Sequence, residues 1–181
     1  IAGAAFAYQH LYRKPLINEA LAQTFMAEQH FRSDSFALAL NGDGNSLGFA
    51  QIIEEYGNKA GEVVYMYAGI SELQLGNYEK AISYLKSYKG KDAILKARSI
   101  SNIGDAYAGL ENYKEALANY LKAADYADNA FAAGYLLKAG IMYEELGDTA
   151  KAIETYTKIK DKYPQSVEGY DIDKYISRLS L

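Results

Sequence analysis

Residues Leu136–Pro164 read LLKAGIMYEELGDTAKAIETYTKIKDKYP. Leu136, Ala139, Gly140 and Tyr143 fall at i, i+3, i+4 and i+7, which is one face of an α-helix. Gly147-Asp148-Thr149 interrupts that pattern. Ala152, Ile153, Tyr156 and Ile159 then form the apolar stripe of a second helix, which Pro164 ends. The stretch is two amphipathic helices joined by a tight turn. Gly140 and Ala152 are expected where two antiparallel helices approach closely, with Tyr143 and Tyr156 filling the remaining volume. A lone helix pair cannot bury both of its faces, so the reading requires neighbouring copies.

Two more are present upstream. Tyr65, Ala68 and Gly69 open one copy, Gly76-Asn77-Tyr78 turns it, and Ala81 and Leu85 follow. Ile100, Ile103, Gly104 and Tyr107 open the next, followed by Asn112-Tyr113, Ala116 and Tyr120. Gly69, Gly104 and Gly140 are spaced by 35 and 36 residues, and Ala81, Ala116 and Ala152 keep the same two intervals. Two landmarks in one register define a repeat, with copies over about 62–95, 97–130 and 133–166. After Pro164, Ile172, Tyr175, Ile176 and Leu179 share one face of a further helix within 167–181, with Asp171 as a candidate N-cap. Such a helix covers the open apolar face of a last repeat.

The repeat resembles the tetratricopeptide family. The third copy carries its pattern at Leu136, Ala139, Gly140, Tyr143, Ala152, Tyr156 and Pro164. Departures are Glu72, where a Tyr is usual, and Ala93 and Asp128, where the closing Pro would stand. The resemblance implies an all-α fold, an α-solenoid of antiparallel helix pairs with a C-terminal capping helix. Residues 16–61 read as a degenerate additional pair: a helix from Leu16 to Phe31, a Ser33-Asp34-Ser35 break supplying capping oxygens, a short run Phe36–Leu40, a polar loop Asn41–Ser46 and a helix Leu47–Tyr56.

Composition agrees with helix. Half of the 181 residues are hydrophobic and only 2 are proline. A net charge of −4 without a basic stripe argues against a nucleic-acid partner, because nothing is available to displace counterions from phosphates. The lack of cysteine excludes disulfides and thiolate metal sites, and leaves the compartment open. At the N-terminus (residues 1–15), small apolar residues lead to Tyr8 and Tyr12 and then to Arg13-Lys14-Pro15. That order is expected at the exit end of a membrane helix whose upstream part is missing here. The alternative is an ordinary amphipathic helix packed on the domain.

Enzymatic chemistry is not expected. Asn41, Asp43 and Asn45 alternate like the donors of a calcium loop, but the sixth and twelfth positions are Ser46 and Ile52 rather than Gly and Glu. The loop reads as a solvated turn, with no metal and no cofactor. His30, Ser33 and Asp34 lie close in sequence without a strained nucleophile turn. Glu54-Glu55 and Glu144-Glu145 are helix neighbours that do not face each other. Most tyrosines, including Tyr65, Tyr78, Tyr107, Tyr113 and Tyr120, occupy repeat landmarks and read as packing residues.

The family pattern places the first helix of each pair on an inner groove. It implies that Val63, Met66, Ile70 and Leu73 are exposed there, followed by Arg98, Ser101, Asp105 and Ala108, and then Gly134, Leu137, Ile141 and Glu144. The first set is apolar, which suggests an amphipathic or unfolded protein segment as ligand. The family groove that clamps a C-terminal carboxylate needs Lys, Asn and Arg at such places, and these positions depart from it. The alternative is that Leu16–Tyr56 folds into the groove and fills it. Three stretches extend the likeness further: Ala2–Lys14, residues 41–49 and residues 171–176. The chain resembles bacterial membrane-anchored extracytoplasmic tetratricopeptide proteins such as the ancillary subunit of the Sec translocon. That resemblance implies an inner-membrane anchor, a periplasmic domain, and translocating chains or periplasmic chaperones as partners. The alternatives are a cytoplasmic protein and a scaffold for homo-oligomeric or multi-protein assembly without a peptide ligand.

Overall fold

The computed structural model describes residues 2–126 and 131–180. Among them there is no β-strand, and the chain divides into two compact units, Ile1–Lys89 and Gly90–Leu181. Asp128 lies outside the described residues.

In the first unit α1 (Ala2–Ala7), a π-helical stretch (Tyr8–Arg13) and α2 (Lys14–Arg32) run on from one another, because Ala7 and Lys14 at the junctions keep helical backbone angles. No break in the helix falls at Arg13-Lys14-Pro15. The Lys14 N–H donates to the Gln9 carbonyl in the wider i→i−5 register, which makes room for the proline ring in the first turn of α2. α3 (Phe36–Asn41) and α4 (Phe49–Tyr56) follow, then a 3₁₀ turn (Gly57–Ala60), α5 (Val63–Gln74) and α6 (Tyr78–Ser87). Ser33 and Ser35 do not cap α3. Their hydroxyls donate to the carbonyls of Gln29 and Ser33, and Ser35 makes no side-chain cap. α4 starts two residues later than Leu47, because Gln51 reaches back to accept from the Gly48 N–H and fixes the start there. The core of the unit gathers Ala20 and Ala27 of α2, Ala39 and Leu40 of α3, Phe49 and Ile52 of α4, and Val64 and Ala68 of α5.

The second unit contains α7 (Ala93–Gly109), α8 (Tyr113–Tyr126), α9 (Ala132–Glu145), α10 (Thr149–Lys162) and α11 (Val167–Leu179). Each helix packs on the next in chain order. α11 begins at Val167 with Ser166 as its N-cap, whose Oγ accepts from the Gly169 N–H at 3.0 Å, so Asp171 is not the cap. Asp171 sits inside the helix and pairs with Lys174. Ile172 is buried against Leu136, Tyr156 and Ile159, so α11 covers the apolar face left by α9 and α10.

The repeat landmarks meet one another. A Cβ on Gly69 would strike Leu85, one on Gly104 would strike the Tyr120 ring, and one on Gly140 would strike the Tyr156 ring. The helix-forming penalty of each glycine is the condition for a large residue sixteen positions later to lie against the bare backbone. The turns are alike as well. Asn77, Asn112 and Asp148 each donate a backbone N–H to the carbonyl five residues back, at 2.9 Å, while the preceding residue sits at positive φ. That is a Schellman turn. Ser35 and Asp34 make the same turn between α2 and α3.

Candidate protein-binding face

The twelve residues expected to line an open groove do not behave alike. Met66 and Ser101 are each 2% exposed and Ile70 is also buried, so they belong to the packing and not to a free surface. Their helices are wrapped on more sides than the family pattern alone conveys. Val63, Leu73, Leu137 and Ile141 are half-buried, and so is Ala108. Gly134 faces the Glu168 carboxylate of α11. The segment Leu16–Tyr56 packs on α5 through Val64, Ala68 and the half-buried Tyr67.

Asp105 and Glu144 are taken up by internal bonds. Asp105 accepts from the Tyr120 hydroxyl at 2.8 Å and from Lys138 Nζ at 2.7 and 2.9 Å, tying α7 to both α8 and α9. Burial pushes the Tyr120 hydroxyl's pKa well up, and the Asp105 charge adds to it. Glu144 accepts from the Tyr156 hydroxyl at 2.5 Å and from Arg178 of α11 at 2.8 and 2.9 Å. Both carboxylates therefore tie neighbouring helices together.

Arg98 is the exposed member of the set, and it makes no hydrogen bond or ion pair among the described residues. It lies on the wall of a cavity of about 450 Å³ between α7 and α9. Ile94, Leu95 and Phe131 form the apolar side of this cavity, with Ile94 45% and Phe131 56% exposed. Ser101, Asn102, Tyr135 and Lys138 form the polar side. Asp105 neutralises Lys138, so among the described lining residues the Arg98 guanidinium is an excess of one positive charge. Burial raises the Tyr135 pKa, with Arg98 opposing and Asp105 reinforcing the shift.

Of the expected inner-face residues Arg98 and Ser101 line this cavity, and Ile94, Leu95, Asn102, Phe131, Tyr135 and Lys138, which the spacing did not single out, line it with them. Ile94 and Asn102 were findable, since they stand four residues either side of Arg98 on the same helical face. Phe131 was not, because it immediately precedes α9 and the start of that helix has no sequence cap signal.

Elsewhere the polar loop is closed on itself. Asp43 Oδ1 accepts from the backbone N–H groups of Asn45 and Ser46 at 2.9 and 2.7 Å and from the Ser46 hydroxyl at 2.8 Å. His30 Nε2 lies 3.6 Å from Asp43 Oδ2. These bonds, those to Ser46 first, lower the Asp43 carboxyl to about 2. Among the described residues no group of three His, Asp or Glu is arranged to hold a metal ion.

Helix pairs of this construction, glycine-keyed and closed by a terminal helix, define the all-α tetratricopeptide-type solenoid class. Models of the tetratricopeptide repeat match residues 97–129 and 135–166. A solved structure described as "Crystal structure of MamA" aligns over 85% of this chain and 92% of that one, at a TM-score of 0.63 and 19% identity, which is a likeness of fold. No curated protein matches the sequence. Tetratricopeptide repeats generally mediate protein–protein interaction, and no enzymatic family is indicated.

Proposed function

We propose that this chain is a non-enzymatic interaction module that holds a protein segment against the α7–α9 face. The observation that carries the reading is the exposed Arg98, without an ion pair among the described residues, beside the exposed apolar pair Ile94 and Phe131 on one cavity. That combination suits an amphipathic segment presenting a carboxylate next to an aliphatic or aromatic side chain. The test is fluorescence anisotropy with a synthetic peptide alternating Leu/Phe and Glu, against Arg98→Glu. Replacing this exposed side chain leaves folding unchanged, while a charge-assisted contact worth about 1.5–3 kcal/mol is lost, so binding is expected to weaken roughly tenfold or more. Equal binding by wild type and Arg98→Glu, or equal binding of a Lys-substituted peptide, sinks the reading.

The scaffold alternative is favoured by a different observation. On α11 Tyr170 is 73% exposed, and Val167, 84% exposed, lines a cavity of about 690 Å³ together with Phe131 and Pro164. A homo-oligomer built on that end would dissociate in sedimentation velocity on Val167→Asp.

For location, we propose an inner-membrane protein whose soluble part lies outside the cytoplasm, in bacteria, meeting translocating chains or periplasmic chaperones. The support is the apolar, then aromatic, then basic order of Ala2–Lys14 and its resemblance to the ancillary Sec translocon subunit. Recovery of the native protein in the soluble cytoplasmic fraction would refute it.

A further inference from the structure

The helical run before Glu19 carries Arg13 and Lys14 and no acidic residue, although the chain as a whole has a net charge of −4. None of Tyr8–Arg13 is buried. Phe6, Tyr8, Leu11 and Tyr12 are 65%, 59%, 80% and 59% exposed. In the π-helical register, residues four apart stand over one another. Tyr8 stacks on Tyr12 at 5.6 Å between ring centroids. Arg13 donates to Gln9 at 3.4 Å, and Lys14 Nζ lies 3.2 Å from His10 Nε2, whose ring stacks on Phe6 at 4.0 Å. The stretch thus sets exposed aromatic and aliphatic side chains, Phe6, Tyr8, Leu11 and Tyr12, beside two cations and no acid. Among the described residues no helix is long and apolar enough to cross a membrane.

From this placement we infer that residues 6–14 form an interfacial segment that lies in the surface of an anionic bilayer. Tyr8, Leu11 and Tyr12 enter the headgroup boundary, while Arg13 and Lys14 meet the lipid phosphates. Tyrosine suits that depth because its ring is apolar and its hydroxyl stays wet. The occupant is a lipid surface because the exposed side chains combine aromatic interface anchors with uncompensated positive charge on one short helical stretch. The inference deepens the membrane reading and rests on it, but it concerns what this segment itself binds.

The test is flotation of the purified chain with vesicles of phosphatidylcholine alone and of phosphatidylcholine with 30 mol% (about a third) phosphatidylglycerol. Binding to the anionic vesicles only is expected. Arg13→Gln/Lys14→Gln should weaken it about 20- to 30-fold, from about fivefold for each basic side chain at an anionic surface. Leu11→Ser/Tyr12→Ser should abolish it while circular dichroism and the unfolding midpoint stay unchanged, since these side chains touch no core. No flotation, flotation independent of charge, or flotation unaffected by both double variants overturns the proposal. So does a wild-type dimer in sedimentation velocity that Leu11→Ser/Tyr12→Ser splits, because the face then belongs to a second copy. Failure here is separable from failure of the membrane reading, which fractionation of the native protein decides, and from failure at Arg98, which peptide binding decides.

Discussion

At the scale of single residues, the three repeat turns differ in one telling atom. Gly76 and Gly147 stand at φ +78° and +76°, and the equivalent residue of the middle repeat is Glu111 at φ +57°. A side chain there puts Cβ against the following carbonyl, at about 1–2 kcal/mol. Part of the gain from removing it is offset by the greater freedom of glycine in the unfolded chain. Glu111→Gly is therefore expected to stabilise the protein by about 0.5–1 kcal/mol, read as a higher urea midpoint at unchanged slope. A second residue contributes to the acid sensitivity of the first unit. Asp43 is held at about 2 against an ordinary value of 3.8. As pH falls through that window the unfolded chain takes up a proton that the folded loop refuses, so stability contributed above pH 3.8 is lost towards pH 2. Asp43→Asn should flatten that part of the urea-midpoint profile between pH 5 and 2 (approximate limits chosen to bracket the shift). An identical profile would place the acid sensitivity in other carboxylates.

At the scale of elements, the repeat was legible because its landmarks are steric. Gly140 is buried where the Tyr156 ring crosses the helix, and that ring is itself wholly buried with its hydroxyl bonded to Glu144. Gly140→Ala gains about 1 kcal/mol of helix propensity but overpacks at about 1–3 kcal/mol, with no room for the ring to retreat. A net loss is expected on thermal unfolding. Gly134→Ala is the contrast: its added methyl meets only the end of the Glu168 side chain, which can swing away, so no loss is expected. What was not legible follows from the same physics. Exposure of Met66, Ile70 and Ser101 depends on how closely neighbouring helices pack, and a pattern of spacings carries no such distance. Asp105 and Glu144 look like free inner charges in one dimension. Their partners, Lys138 and Arg178, lie 33 and 34 residues away. Ser166 caps α11 only two residues after Pro164 ends the preceding pattern, so stop and start signals overlap there.

At the scale of the molecule, each helix of the second unit draws its core from its chain neighbours. Ile172 of α11 meets Leu136 of α9 and Tyr156 and Ile159 of α10, whereas Ala20, Phe49 and Ile52 form a core of their own in the first unit. Stability in such an arrangement is a sum of local terms, and opening is local too. Ile172→Ala removes a side chain that is 1% exposed, which costs about 2–4 kcal/mol. Because that loss sits in one cluster, amide hydrogen exchange should accelerate in α9, α10 and α11 and stay at the wild-type rate in α2, α3 and α4. A uniform acceleration along the chain would mean that the two units open together. With the local outcome, the terminal helix sets the stability of the repeats it covers, among them α9, one wall of the Arg98 cavity. A peptide bound there should in turn slow exchange in α7 and α9, since a ligand stabilises what it binds.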